Sequence, residues 1–276
     1  MGLLDGKVAF ISGGARGQGR SHALRLAEEG ADIITFDICE PMSTQAYAGA
    51  TDDDLAETVK LVEERDRRIV ARKADVRDQG AVEAVLAEGV AEFGRVDIVL
   101  ANAGVMSFMG EPSHTVAAWQ EAIDVMLTGV FFTCEAAIPR LIEQGQGGSI
   151  VITSSLAGLR APLRTMDMKS HGALGYFAAK HGVIGLMRAY ANLLGPHSVR
   201  VNTVHPTGVN TPMVANPEFM AYATEHPGFM EAMRNALPVM MIEAVDVSNA
   251  IVFLCSEAGR FITGVTFPVD AGAANF

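Results

Sequence analysis

The chain has 276 residues, of which 49% are hydrophobic and 19% charged, with a formal net charge of -11. That length and balance suit one well-packed α/β unit burying about three quarters of its unfolded surface, and exclude a disordered or low-complexity chain. The negative balance argues against nucleic acid or an anionic membrane as a partner.

Residues 7–12 form a short apolar run, readable as a buried strand. It leads directly into Gly13, Gly14, Ala15, Arg16, Gly17, Gln18 and Gly19. A helical pattern follows over 21–29 and stops at Gly30. Strand, glycine-rich turn and helix is the context that a dinucleotide-binding loop requires. Gly13, Gly17 and Gly19 let the backbone turn tightly and approach a pyrophosphate, and the next helix turns its N–H groups towards the phosphates. An ordinary glycine-rich turn remains the alternative.

Residues 31–37 read as the second strand and end in Asp37, 18 residues after Gly19. A carboxylate there accepts both hydroxyls of an adenosine ribose and repels a 2′-phosphate, which favours NAD over NADP. Ile38 follows. Asp37 and Asp75 are 38 residues apart, whereas a helix with short loops needs roughly 20–25. The helix is expected over 55–68, and residues 39–54 are extra. They are either a tolerated surface insertion or a cover near the cofactor.

A third strand is expected over 69–76, placing Asp75 and Val76 at its end, then a helix over 78–93. A fourth strand, 96–101, runs into Asn102, Ala103 and Gly104. Small residues there leave room for a flat adenine ring, while Asn102 itself is expected to tie neighbouring strands together. A long helix is expected over 116–143, broken near Pro139, and a fifth strand over 148–155. The β–α alternation, with apolar strands, argues for a single doubly wound Rossmann-type α/β domain over 1–276. About seven parallel strands are expected, with helices on both faces.

Tyr176 and Lys180 are four apart, one turn along one helical face. A phenol with pKa ~10 is a poor base at neutral pH. A lysine ammonium one turn away favours the phenolate and is expected to lower that value. Such a pair passes a proton to or from an alcohol oxygen. Taken alone, the spacing also fits a plain surface or core pair.

Taken in order, these motifs resemble the short-chain dehydrogenase/reductase family over nearly the whole chain. The glycine loop from Ser12 to Gly19, the Asn102–Gly104 element, Ser155 at the fifth strand's end and the Tyr176/Lys180 pair all match it. So do the stretch 199–211, with Pro206, Gly208, Val209 and Thr211, and the final strand over 264–272. The resemblance implies NAD as cofactor, with Pro206, Gly208, Val209 and Thr211 near the nicotinamide carboxamide. It implies Ser155, Tyr176 and Lys180 as the catalytic set. Ser155 would hold the substrate oxygen, Tyr176 would take its proton, and Lys180 would bind the ribose and keep Tyr176 acidic. Register selects Ser155 over its neighbour Ser154. A symmetric homotetramer is implied as well.

Two departures stand out. Relatives carry an Asn in an Asn-x-x-Gly context that serves a water relay to the lysine; here that position is Met126. The gap from Ser155 to Tyr176 is also longer than usual, with 160–175 as the added segment. The extra loop at 39–54, residues 180–188 and residues 205–213 resemble one branch in particular. That branch is the mycofactocin-coupled, carveol dehydrogenase-like proteins. It implies an NAD that does not exchange and a peptide-derived redox carrier, mycofactocin, as electron acceptor.

The expected substrate lid is 212–242, rich in methionine: Met213, Met220, Met230, Met233, Met240 and Met241, with Phe219 and Phe229. Met106, Met109, Met166 and Met168 extend the set. Methionine adapts to irregular apolar space, so these residues line an apolar pocket or form a core stripe. A hydrophobic secondary alcohol or its ketone is the expected substrate, since no basic cluster accompanies them. The alternatives are an exchangeable-NAD(H) ketone reductase of the steroid or 3-oxoacyl type, and a weakly catalytic NAD-binding protein.

His205, beside Pro206, reads as structural, and the seven histidines show no metal spacing, so no metal is expected. Cys39, Cys134 and Cys255 are odd in number and widely spaced, so a reducing cytoplasm is the expected home. No signal peptide is expected at the N-terminus, nor any apolar stretch of the ~18 residues that a membrane span needs.

Overall fold

The computed structural model describes residues 2–275. In chain order its elements begin β1 (Val8–Ser12), α1 (Gly17–Glu28), β2 (Asp32–Asp37), α2 (Asp52–Glu63), β3 (Ile69–Lys73), α3 (Gln79–Phe93) and β4 (Ile98–Ala101). Next come α4 (Val116–Ile123), a π-helical turn (Asp124–Thr128), α5 (Gly129–Gln144), β5 (Gly148–Thr153) and α6 (His171–Leu194). The chain continues with β6 (Val199–Pro206), β7 (Val209–Asn210), α7 (Pro217–Glu225), α8 (Pro227–Ala232), β8 (Ile242–Glu243), α9 (Ala244–Cys255) and β9 (Thr266–Val269).

Seven strands form one parallel sheet in the order β3-β2-β1-β4-β5-β6-β9. Successive strand residues point to opposite faces, and both faces here are apolar. Val8, Phe10, Ile34, Phe36, Val99 and Ile152 pack on one side, with residues of α3, α5 and α6. Ala9, Ile11, Ile33, Leu100 and Val151 pack on the other, with α1 and α9. This is the expected doubly wound α/β Rossmann architecture. Strand order reverses between β1 and β4, which opens a crevice at the carboxyl ends of the strands.

Several expected boundaries move. Helix α2 starts at Asp52, because Thr51 and Asp54 form a reciprocal capping box, and it ends at Glu63 rather than 68. The expected break at Pro139 is absent: α5 runs through it. The irregularity lies earlier, in the π-helical turn, which buries Met126 completely. Helix α6 begins at His171, capped by Ser170, so Tyr176 sits in its second turn and the added segment is partly helical. Contrary to expectation, the continuous helical run Val116–Gln144 is long enough, and within it an 18-residue window with a mean hydropathy of 1.5 is apolar enough, to cross a membrane. Its apolar face instead fills the core through Val125, Val130, Cys134, Ala137 and Leu141. Strands β7 and β8 pair at the base of 211–241, so the expected lid rises from a two-residue parallel ladder.

Candidate active site

At the end of β1 the chain turns at Gly13, whose φ of +74° suits glycine. A Cβ there would press on the Ala103 backbone at 2.8 Å, and one at Gly19 would overlap the Gly13 carbonyl. Both glycines are therefore fixed by close backbone approach. Helix α1 opens with Arg16 at its N-cap and no side-chain cap, so its first N–H groups lack a side-chain acceptor. The Gln18 Oε1 beside them is buried without a hydrogen-bond partner. An uncapped helix start and an orphaned buried polar atom on one cleft fit a bound pyrophosphate.

The cleft is lined by Gly13, Arg16, Gly17, Gln18 and Gly19 from this turn. Asp37 and Ile38 come from β2, Asp75 and Val76 from the end of β3, and Asn102, Ala103 and Gly104 from β4. Thr211 closes one side with Pro212 and Met213. The other expected cofactor positions lie outside this lining. Ala15 is buried under the turn, where its N–H holds Asp37 Oδ2 at 3.0 Å. Pro206 ends β6, a Cβ on Gly208 would meet the Met241 side chain at 3.4 Å, and Val209 is buried in the core through β7.

Asp37 is held by N–H groups of Ala15 (3.0 Å) and Cys39 (3.4 Å). Burial nevertheless pushes its carboxyl pKa up. Burial also raises Asp75, but the side-chain and backbone bonds from Arg77 outweigh it and hold that carboxyl below its ordinary value. Asn102 ties three strands, as expected: its Nδ2 donates to Ser12 O at 3.2 Å, and its Oδ1 accepts from Thr153 Oγ1 at 3.3 Å.

The two adjacent serines divide their work. Ser154 is buried and donates to the Lys180 carbonyl at 2.8 Å, locking β5 to α6. The Ser155 hydroxyl accepts the Ala157 N–H at 3.1 Å and is near enough to Tyr176 to lower its phenol pKa. Lys180 Nζ donates to the Thr153 carbonyl at 2.8 Å and lies 5.8 Å from the Tyr176 ring centroid. Ser155, Tyr176 and Lys180 thus converge at the end of β5.

The expected lowering of the Tyr176 pKa is reversed. Burial pushes the phenol up, and the nearby Ser155 hydroxyl only partly opposes it. Burial also lowers Lys180 to about 8. The ammonium is aimed at Thr153 rather than at the phenol; Lys180 is buried and Tyr176 partly buried, so each is driven towards its neutral form. His205 is buried, and burial lowers it to about 4. A neutral imidazole donates from Nδ1 to Ser155 O at 2.9 Å and accepts from Thr203 Oγ1 at 2.8 Å, supporting the serine's backbone. Gly104 faces both Lys180 and Met126: a Cβ there would lie 3.9 Å from Lys180 Nζ and 3.9 Å from Met126 Cγ.

An apolar cluster surrounds Tyr176. Met106, Phe108, Met109, Met168 and Phe229 are buried in it, with Met213, Phe219, Met230 and Met233 against them. The Phe108 ring meets Tyr176 edge-on at 5.7 Å. Met166, Met220 and Met240 lie outside, 77%, 55% and 73% exposed, so those three do not form the pocket.

Glu40, Met42, Gln45, Tyr47 and Ala50 of the extra loop also line the cleft, so the loop folds inwards as a strap. It is pinned by Glu121 of α4, which is buried: Oε1 accepts from Ser43 Oγ at 3.1 Å and Oε2 from Thr44 N at 3.2 Å and from Thr44 Oγ1. Arg16 donates to the Ala48 carbonyl from the far side. The surplus of residues after Asp37 was the available signal; the anchoring glutamate, 77 residues on from Thr44, was not.

The family model described as enoyl-(acyl carrier protein) reductase matches residues 13–274. An oxidoreductase of Mycobacterium tuberculosis (strain CDC 1551 / Oshkosh) is 52% identical over 275 residues, 99% of this chain and 97% of that one. The (-)-trans-carveol dehydrogenase of Rhodococcus erythropolis is 46% identical over 284 residues, covering 99% of each chain. The crystal structure of carveol dehydrogenase from Mycobacterium avium in complex with NAD superposes with a TM-score of 0.92 at 47% identity, covering 100% of both chains.

Proposed function

The chain belongs to the short-chain dehydrogenase/reductase family, and from that premise we propose that Ser155, Tyr176 and Lys180 carry an NAD-dependent alcohol dehydrogenation. The enzyme is a carveol dehydrogenase-like oxidoreductase acting on alcohols, with NAD as cofactor. The observation that carries the site assignment is the convergence of the Ser155 and Tyr176 hydroxyls and the Lys180 ammonium beside the glycine-lined cleft. Bound NAD supplies the hydride acceptor. Ser155 holds the alcohol oxygen by a hydrogen bond, and the Tyr176 phenolate takes its proton. Lys180 is fixed by Thr153, with two further donors on its ammonium for the cofactor's ribose. Asp37 takes the adenosine ribose, and its carboxylate disfavours a 2′-phosphate.

The substrate we propose is an apolar, cyclic or terpenoid secondary alcohol, since the walls around Tyr176 are Met and Phe. The strap supports a second proposal: NAD is held so firmly that it does not exchange during turnover, and electrons leave to mycofactocin. A cofactor roofed by a loop pinned at Glu121 and Arg16 escapes only when those bonds open. The outward faces of the long helices carry Val116, Trp119, Phe131 and Leu193, which supports burial in a homotetramer.

One experiment addresses these points together. Purified protein is denatured and released nucleotide assayed; turnover of cyclic secondary alcohols is then compared with free NAD and with an artificial acceptor. Stoichiometric NAD with turnover only on the artificial acceptor supports retention. Cofactor-free protein with brisk turnover on free NAD rejects retention and leaves the dehydrogenase standing. No turnover on any alcohol with either acceptor rejects the catalytic assignment.

A further inference from the structure

The strap carries one side chain that reaches past the cofactor cleft. Tyr47 is only 6% exposed. It lines the cleft alongside Ala103, Gly104 and Val105, and it is also a buried member of the apolar cluster around Tyr176. Apart from Ala46 beside it, the other residues of that cluster come from the segment after β4, from 160–177 and from the lid. The Tyr47 hydroxyl accepts the Met106 N–H at 3.3 Å. A phenol that accepts one bond still has its own proton to donate, and no acceptor for that proton is found among the described residues. Burial pushes its pKa up, so it remains a donor at any working pH.

We propose that Tyr47 is a specificity-determining residue of the substrate pocket, supplied by the strap. Its ring forms an apolar wall, and its hydroxyl donates to a second oxygen on the substrate. The substrate class that fits is a ring alcohol bearing a further oxygen, as carbonyl, ether or hydroxyl, away from the reacting carbon. The aromatic walls hold the ring, Ser155 and Tyr176 take the reacting hydroxyl, and Tyr47 takes the second oxygen. A ring alcohol without that oxygen leaves the Tyr47 donor unpaired in an apolar site, which is how a buried polar group discriminates between otherwise similar ligands. This inference rests on the dehydrogenase reading above.

The test uses intact holoenzyme and two substrates, cyclohexanol and 4-hydroxycyclohexanone, with an artificial acceptor. Tyr47→Phe keeps the ring and removes the donor. It should lower the preference for the hydroxyketone over cyclohexanol, read as the ratio of their kcat/KM values, about fivefold. Tyr47→Ala removes the wall as well and should raise KM for both by about tenfold or more. Bound NAD after denaturation should be the same in Tyr47→Phe and wild type, because the Glu121 anchor is untouched. Wild-type turnover with no preference between the substrates, or a Tyr47→Phe variant that loses both equally, overturns the inference. A wild type inert on both substrates and on the wider alcohol panel instead overturns the dehydrogenase reading, and this inference with it.

Discussion

Glu121→Ala should loosen the strap and speed NAD release about 10²-fold. In the native chain one buried carboxylate accepts from Ser43 Oγ, Thr44 N and Thr44 Oγ1. Hydrogen bonds to a charged group contribute about 1.5–3 kcal/mol each. Opening the strap returns these donors to water in either protein, so about 1 kcal/mol apiece is the conservative share, or about 3 kcal/mol together. Each 1.4 kcal/mol is tenfold in rate when the contact is absent at the barrier, which gives the 10²-fold figure. The contact of Arg16 with Ala48 is untouched, so the strap is expected to stay on the cleft while opening more often. The assay loads the protein with labelled NAD, adds a large excess of unlabelled NAD, and follows the label retained over time. Glu121→Gln keeps the shape and one acceptor oxygen, and should fall between alanine and wild type. Exchange in Glu121→Ala within twofold of wild type would refute the idea that this anchor holds the cofactor.

Tyr176→Phe removes the proton carrier without changing the ring's packing, and turnover should fall by at least ~10²-fold in a steady-state assay; near-native turnover would reject Tyr176 as the acid/base. Asp37→Ala should narrow the gap between NAD and NADP in measured binding, and an unchanged preference would remove Asp37 from the ribose site. Lys180→Met should abolish catalysis yet stabilise the cofactor-free fold. Burial lowers Lys180 from 10.5 to about 8, so the folded chain binds fewer protons than the unfolded one between those values. Wild-type stability therefore rises with pH across that window, and the penalty for the buried ammonium is fully present below pH 8, at about 3 kcal/mol. Losing the bond to Thr153 O returns about 1 kcal/mol of that gain. Urea unfolding should show Lys180→Met ahead of wild type at pH 7, with the lead closing by pH 10; a variant weaker at pH 7 would contradict this.

The parts of the site set by neighbours in sequence could be read directly. The glycine turn, Asp37 and Ser155 each lie at a strand's carboxyl end, and strand ends are marked by local apolar runs. The parts set by packing could not. Glu121 is one acidic residue among 32, and nothing near it announces that it will meet a loop 77 residues earlier. Met126 was visible as a substitution, but the π-helical turn that buries it depends on how α4 and α5 meet the sheet. The sign of the Tyr176 shift failed for the same reason. Helical spacing brought a lysine within reach, whereas burial of both groups, a property of the whole domain, decided the direction.

The direction of those shifts bears on why a retained cofactor would suit this pocket. Burial drives Tyr176 towards the neutral phenol and Lys180 towards the neutral amine. His205 behind Ser155 is likewise held neutral. Alcohol oxidation instead needs a phenolate beside an ammonium. Among the described residues no charged side chain is a cause of either shift, and Met126, near Gly104 like Lys180, is buried and apolar. The groups that favour the charged pair are those of the cofactor, its positive nicotinamide ring for the phenolate and its ribose hydroxyls for the ammonium. A chain that let NAD leave after each turnover would return to the neutral, unreactive state each time and would have to recharge the pair through a pocket sealed by apolar side chains. A strap that keeps the cofactor in place holds its ribose hydroxyls on Lys180 throughout; the ring's positive charge, lost on reduction to NADH, returns when the acceptor takes the electrons. The alkaline limb of the single-turnover pH profile therefore distinguishes the cases. With retained NAD, the fast oxidation phase should persist well below the pH at which a buried tyrosine ionises unaided. A rate that rises only as the pH passes the ordinary phenol value near 10 would show that the cofactor does not set the charge of this site.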